Sequence, residues 1–520
     1  MRIRVGLVGR SHGWEQLLMQ EGVDFAPAEL PFSPAQDFSL LVVTRELAES
    51  EKGWIMQYLA AGGAILASIT YLGGLGGVSS RPSRLDYLLP DGNLPFADLS
   101  ILDLGIEGDI PTEARTMRTQ TNEYAVFAGE LCGGRAVLAP FDPGVAMSDT
   151  RIASKSFFAE RERLPAEQVS LVGKGEVRHF VHRALEYLHH TRDLPYVHLW
   201  WFPDEYDNVV GLRVDTDAAE KRDIDDLYAI SRELELSFSW YIDVKSHRDL
   251  LSHFASMVEQ ELGVHCYEHR VYSSYEENLN QLAKSKTALE SVGVFGGGFA
   301  APYGMWNPSL ARAVDDLGFA YSSEFSYAYD GYPLYPVWAD TVFSTLQVPV
   351  HPVCPGTLRQ VGYSDGAMRS YYAALVDAKR RRRDPLLFYH HPSHRRWEVV
   401  RDLLRDAMGP RVMPTTLGGF ARWWKRRSAS RIDAEFEPGI LRTHFRTPDK
   451  APGLEGVSYR ISSSAGKEAI LSRDGEIRLD DLRWRDVPLY RPPEDIGRIR
   501  EFDPRAVLGQ VYSAMRRRIR

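Results

Sequence analysis

The sequence predicts an α/β protein in three parts. A parallel α/β domain spans residues 1–195, a distorted (β/α) barrel spans 196–427, and a small β-rich module with a tail spans 428–520. Three observations predict this division. Short apolar runs alternate with helix-period segments through most of the chain, as parallel strands and their covering helices do. The 520 residues exceed one ordinary core, at about 100–200 residues per domain. After residue 427 short alternating segments lie between turn-like stretches such as Glu-Phe-Glu-Pro-Gly, Arg-Thr-Pro-Asp-Lys and Ser-Arg-Asp-Gly-Glu-Ile, which suits an antiparallel module.

In the first part the apolar runs Ile3–Val8, Phe38–Thr44, Ala64–Ile69 and Arg135–Pro140 read as strands. Ala48–Ala61 has helical spacing and stops at Gly62-Gly63, and Glu176–His190 reads as an amphipathic helix. The strand Asp-Phe-Ser-Leu-Leu-Val-Val, a helix, Gly-Gly and a further strand resemble the flavodoxin-like core of the class I glutamine amidotransferase superfamily. Catalytic members of that superfamily carry a cysteine on a strand-to-helix elbow. The only cysteine in this part, Cys132, sits in Glu-Leu-Cys-Gly-Gly just before a strand. The domain is therefore expected to be non-catalytic, serving substrate closure or homo-oligomerisation.

The second part repeats the alternation. Val209–Val214, Phe238–Val244, Leu262–His265, Val294–Ala300, Thr345–Val350 and Leu386–His391 read as strands. Tyr275–Val292 and Met368–Arg383 read as helices between them. In a β/α barrel functional groups sit at the carboxyl ends of the strands. In the third part Gly456–Ile461 is the clearest strand, and the last thirty residues, ending Arg-Arg-Arg-Ile-Arg, are expected to be partly disordered.

Composition narrows the classes. Hydrophobic residues make up 44%, charged residues 25%, and the net charge is −8, so the whole chain gives no argument for binding nucleic acid. The three cysteines, Cys132, Cys266 and Cys354, suggest no disulfide framework and fit a reducing compartment. The start MRIRVGLVGRSHGWE reads as a strand without a secretory signal, so a cytoplasmic location is expected. Tyr58–Val78 carries no charge, but its three Gly-Gly pairs favour helix end, turn and buried strand over a membrane span.

Four motifs carry the chemistry. In Arg213-Val-Asp215-Thr-Asp217 two carboxylates stand two apart at the end of an apolar strand. Like charges so close are costly unless a cation or proton is shared, which a metal would resolve; taken alone, the pair suits a helix N-cap better. In His265-Cys-Tyr-Glu-His269 two histidines at i and i+4 share a face of a helical turn, a spacing metals exploit. Two histidines and one aspartate form a mixed N/O set with open positions, the catalytic rather than the closed structural pattern. Phe299-Ala-Ala-Pro302-Tyr303-Gly304 and Leu386-Leu-Phe-Tyr-His390-His391-Pro392 also close apolar strands.

In this order the four motifs resemble those of the polysaccharide deacetylase family, carbohydrate esterase family 4, over a little under half of the chain. The resemblance implies a distorted β/α barrel that hydrolyses N- or O-acetyl groups on glycans. It makes Asp215 the general base and Asp217, His265 and His269 the ligands of a divalent metal, most simply Zn²⁺, with Co²⁺, Mn²⁺ or Ni²⁺ as substitutes. The family's third motif, Arg-x-Pro-Tyr, maps onto Ala300–Tyr303, so Ala300 stands where an arginine usually orients the base. The resemblance gives the Tyr303 N–H to the oxyanion and the acid role to His391, with His390 as the alternative. The fourth motif falls near Glu324 or Trp338.

The function expected is metal-dependent removal of acetyl groups from a carbohydrate or related amide. The alternative is a catalytically lapsed glycan-binding protein that keeps its metal. Trp240, Tyr241, Tyr267, Tyr303, Trp306, Tyr321, Phe325, Tyr327, Tyr329, Tyr332 and Tyr335 crowd the barrel segment, where core packing or sugar stacking would use them. Lys379–Arg383, five basic residues in a row, reads as a solvated face or helix C-terminus, with an acidic glycan or lipid headgroup as its other use.

Overall fold

A computed structural model describes residues 1–29, 38–157, 167–360, 362–446 and 456–500. Of the last thirty residues, expected to be partly disordered, 501–520 lie outside these residues, as does most of the Arg446–Lys450 turn, while Ile496–Arg500 forms a short helix.

The first sheet contains β1 (Val5–Val8), β2 (Phe25–Pro27), β3 (Leu40–Val43), β4 (Ala64–Ser68), β5 (Ser80–Leu89), β6 (Leu102–Pro111), β7 (Thr116–Thr119), β8 (Tyr124–Leu131) and β9 (Gly134–Ala139). Their order is β2-β1-β3-β4-β9-β8-β7-β5-β6, parallel from β2 to β9. Alternate residues of β3 pack on opposite faces. Leu40 and Val42 join the helices His12–Glu21 and Lys174–His190, while Leu41 and Val43 join the helix Glu49–Ala60. Such double cover explains why these strands are continuous apolar runs. From β8 onward the sheet is antiparallel, which corrects the wholly parallel expectation. The cause is visible in β5, Ser-Arg-Pro-Ser-Arg-Leu-Asp-Tyr-Leu-Leu: it is mostly exposed or half-buried, so it lacks the apolar run that marks a doubly covered strand.

A hairpin of β10 (Ile152–Lys155) and β11 (Glu167–Ser170) follows, then β12 (Tyr196–Leu199). The second large sheet holds β13 (Asn208–Asp215), β14 (Ser239–Ile242), β15 (Glu261–Val264), β16 (Gly298–Ala300) and β17 (Tyr321–Ser323). A small hairpin, β18 (Val337–Trp338) and β19 (Thr341–Val342), precedes its remaining strands β20 (Leu346–Gln347), β21 (Leu386–His390) and β22 (Val412–Pro414). The order is β20-β17-β16-β15-β14-β13-β21, with β22 on the first half of β13, and every pairing is parallel. A backbone bond from His351 N–H to the Leu387 carbonyl (2.9 Å) draws the chain after β20 towards β21. The result is a curled parallel sheet whose carboxyl ends gather on one side, as a distorted barrel requires.

The remaining strands are β23 (Arg431–Glu437), β24 (Ile440–Arg446), β25 (Tyr459–Ser463), β26 (Lys467–Leu471), β27 (Gly475–Arg478) and β28 (Arg485–Asp486). They form two antiparallel sheets, β23-β24-β27 and β12-β25-β26-β28. Residues 196–199 thus pair with the C-terminal module although they open the barrel segment in sequence.

The basic run meets one of its two expected readings, the helix C-terminus. It ends the helix Asp365–Arg382, but it is not a solvated face. Lys379 meets Asp330 (2.6 Å), Arg382 meets Glu176 on the first domain, and Arg383 meets Asp207 (2.7 Å) and Glu468 on β26 (2.9 Å). Three of the five cations are spent on those pairs, and two of them, Arg382 and Arg383, tie the barrel to the other parts of the molecule. The aromatic residues are mostly core: Trp240, Tyr241, Trp306, Tyr321, Phe325, Tyr327, Tyr329 and Tyr332 are buried, while Tyr303 is 59% exposed. Among the described residues no helix is long and apolar enough to cross a membrane.

Candidate functional site

Asp215 is the last residue of β13 and is buried. Arg213 lies two residues earlier on the same face of that strand. Its Nε donates to Asp215 Oδ1 (2.7 Å) and its Nη2 to Oδ2 (2.6 Å), a bidentate fork. Its Nη1 donates to the Ser323 carbonyl (2.8 Å) and Oγ (3.1 Å), so the guanidinium is itself fixed. Arg213 is thus the cation paired with Asp215. The sequence displayed it two positions before the aspartate, and i, i+2 alternation was the signal that could have found it.

Asp217 lies past the strand in a left-handed turn, with φ 36° at Asp217 and 53° at Ala218. Thr216 anchors the turn: its N–H donates to the Tyr241 carbonyl (3.1 Å) and its Oγ accepts from Asp243 N–H (3.0 Å). Neither carboxylate caps the next helix, whose N-cap is Glu220, so the capping alternative falls away.

His265 follows β15 and is buried. Its Nδ1 donates to the Ala300 carbonyl (2.8 Å), which turns Nε2 towards Asp217. That Nε2 is 2.9 Å from Asp217 Oδ1, and His269 Nε2 is 3.0 Å from the same oxygen. The expected helical turn is absent. Residues 265–270 form an irregular loop with φ 97° at Cys266 and 49° at His269. The buried Cys266 pins this loop, its Sγ accepting from Arg270 N–H (3.3 Å). The i, i+4 spacing therefore brings the two rings together through left-handed backbone rather than a helix face.

His391, just after β21, places Nε2 3.2 Å from Asp217 Oδ2. His390 turns away, its Nε2 on the Arg395 carbonyl (2.9 Å). The Tyr303 ring lies 4.9 Å from that of His269, and its backbone is left-handed (φ 56°). The following Gly304 is required by packing, since a Cβ there would lie 2.1 Å from the Phe325 ring. Of the two fourth-motif residues, Glu324 is buried, and its carboxyl is coupled to the charge of Arg213. Trp338 is exposed on the β18–β19 hairpin. Sequence reasoning also missed Asp243, one residue past β14. It is buried, with Oδ1 unpartnered among the described residues, and its charge acts on His269.

The electrostatics couple these groups. Burial pushes the Asp217 carboxyl up, but the charge of His391 and the contacts with His265 and His269 outweigh it and hold it well below the usual range. Burial lowers His391, but Asp217 overcomes this and raises it well above its usual value. Burial alone dominates at Glu324, pushing its carboxyl to about 8 despite the Ser322 hydroxyl and Arg213.

A metal suits this set. Asp217 Oδ1, His265 Nε2 and His269 Nε2 are buried atoms that make close contacts but no aligned hydrogen bond. Ligands about 2.0–2.1 Å from a divalent ion stand about 2.9–3.4 Å apart at cis angles between 90° and tetrahedral. The observed separations of 2.9 and 3.0 Å match the lower end.

No family model and no curated protein matches the sequence. Among solved structures the chain is similar to the PuuE allantoinase, at 13% identity over 43% of this chain and 92% of that one, with a TM-score of 0.37. It is similar to a family 4 carbohydrate esterase from Streptomyces lividans in complex with acetate, at 13% identity over 40% and 92%, with a TM-score of 0.28. It is also similar to a pseudoenzyme of carbohydrate esterase family 4 from Bacillus anthracis, at 16% identity over 38% and 60%, again at 0.28. Scores this low transfer neither mechanism nor substrate, and the site stands on its own geometry.

Proposed function

We propose that this protein is a metal-dependent hydrolase of deacetylase type, removing N- or O-linked acetyl groups from a carbohydrate or related amide. One observation carries it: Asp217 Oδ1 meets His265 Nε2 and His269 Nε2 at 2.9 and 3.0 Å, with His391 Nε2 3.2 Å from its other oxygen and the charge of Asp215 acting on His269. Asp217, His265 and His269 would hold a divalent ion, zinc before cobalt, manganese or nickel, which when bound supplies Lewis acidity to the acyl oxygen and eases ionisation of the attacking water.

The chain's own residues do the rest. Asp215 takes a proton from the water as its oxygen bonds to the acyl carbon, and Arg213 fixes the orientation of that carboxylate. A carboxylate has about four lone-pair sites, so the two-bond fork leaves acceptor capacity on Asp215. The Tyr303 N–H, unbonded among the described residues, is available to the developing oxyanion. His391 Nε2 donates the proton to the departing nitrogen or oxygen as the carbon–heteroatom bond breaks, releasing acetate. Arg213 also removes the reason Ala300 gave for a lapsed glycan-binding protein, because the base has its clamp from another strand position.

The five parallel strands in the order β2-β1-β3-β4-β9 support a flavodoxin-like reading of the first domain. A non-catalytic role in self-association fits that reading. The test of the main reading is acetate release from N- and O-acetylated glucosamine oligomers. Release that a chelator suppresses and zinc restores is expected. Chelator-insensitive release, or none from a protein carrying its metal, sinks the reading.

A further inference from the structure

A second group of metal-ligating side chains stands behind His391. Cys354 follows β20 and is buried. Its Sγ lies 3.9 Å from His391 Nδ1 and 3.7 Å from His394 Nδ1. The three ligand atoms all fall within 4.8 Å of one another. In a tetrahedral zinc site a thiolate sulfur and an imidazole nitrogen stand about 3.6 Å apart, from bond lengths near 2.3 and 2.0–2.1 Å.

Two further observations point to a ligand rather than to packing. A Cβ on Gly356 would lie 1.9 Å from His394 Nδ1, so the backbone beside Cys354 is bare where that nitrogen approaches. His390 bonds the Arg395 carbonyl through Nε2, and its buried Nδ1 makes no aligned hydrogen bond while the ring interacts with Cys354. Cys354 therefore sits among three imidazoles, and a sulfur with imidazole nitrogens favours soft or borderline ions over magnesium or calcium.

We propose that Cys354, His391 and His394 form a second, sulfur-containing metal site for zinc or a like divalent ion, distinct from the Asp217 set. His391 joins the two: Nε2 faces Asp217 and Nδ1 faces Cys354. The site does not depend on the deacetylase reading. One consequence does: metal beyond the first equivalent would occupy the imidazole assigned as proton donor, so added zinc would first raise activity and then lower it.

Cobalt titration of the reduced, metal-free full chain tests the site. Wild type should take up two equivalents of Co²⁺, one with a thiolate-to-cobalt charge-transfer band. Cys354→Ala and the partly exposed His394→Asn should each bind one equivalent and lose the band, whereas Asp217→Ala should keep it. A wild type that binds one equivalent without the band overturns the second site, and if Asp217→Ala abolishes that equivalent the first site stands. A band that survives Cys354→Ala also overturns it, the sulfur then belonging to another cysteine. A band with no equivalent lost in Asp217→Ala upholds this site and removes the ligand set of the first.

Discussion

Both large sheets present parallel strands whose carboxyl ends open onto loops, and both place carboxylates there. In the first sheet Asp142, following β9, accepts from Gly144 N–H (2.7 Å), from Val145 N–H (3.4 Å) and from the Tyr71 hydroxyl (2.6 Å). In the barrel sheet Asp217 Oδ1, Asp243 Oδ1, His265 Nε2 and His269 Nε2 are buried without an aligned partner among the described residues. Buried polar atoms are nearly always satisfied, so a cluster of unsatisfied ones needs a reason. Topology is similar at the two strand ends; unmet valence distinguishes them. A fold hosts function through its sites and not through its strand order.

The largest break in that contrast comes from removing a shared ligand. Asp217→Ala and His269→Ala should each cost one bound metal equivalent and bring kcat/KM to background, read by metal analysis beside acetate release. Unchanged stoichiometric zinc in either variant would remove the ligand assignment. Next in size is the base. Asp215→Asn should lower kcat by about 10²–10⁴ with metal content intact. Arg213→Lys keeps the charge but loses the planar fork, so it should lower kcat with little change in KM. Equal activity in wild type and the lysine variant would make Arg213 a packing residue only.

The strand-end site residues were legible because each closes or follows a largely apolar run: Asp215 after Val209–Val214, His265 after Leu262–Val264, and His391 after Leu386–His390. Their local backbone was not. The His265–His269 spacing suggested a helix, but the left-handed Cys266 and His269 (φ 97° and 49°) depend on contacts made elsewhere, such as the Arg270 N–H bond to Cys266 Sγ. Arg213 and Asp243 were hidden inside predicted strands, where charge reads as an exception to the pattern. Cys354 meets His391 across 37 residues, a distance no local period reports. The antiparallel strands β5 and β8 were missed because their side chains are partly solvated and show no long apolar run.

Glu324 sharpens the contrast through pH. Its folded value of about 8 lies above the ordinary 4.5. Below pH 4.5 both states are protonated and no penalty applies. Between 4.5 and 8 the unfolded chain releases the proton while the folded chain keeps it, so stability falls as pH rises and the loss is complete above 8. At about 1.36 kcal/mol per unit the effect is a few kcal/mol at most. Glu324→Gln should narrow the gap between thermal midpoints at pH 5 and pH 8. An unchanged gap would assign the pH dependence to other groups.

The smallest effect belongs to the satisfied region and checks the contrast from the other side. Asp142 caps the helix Pro143–Met147, and its partners are two backbone N–H groups and a tyrosine hydroxyl, none of them a metal ligand. Asp142→Ala should therefore cost about 1 kcal/mol, the usual size of a lost N-cap. Bound metal and kcat/KM should stay at wild-type levels, because the bonds it removes end within the first sheet. Loss of metal or of turnover in this variant would couple the two sheets, and the distinction between satisfied and unsatisfied strand ends would no longer separate scaffold from site.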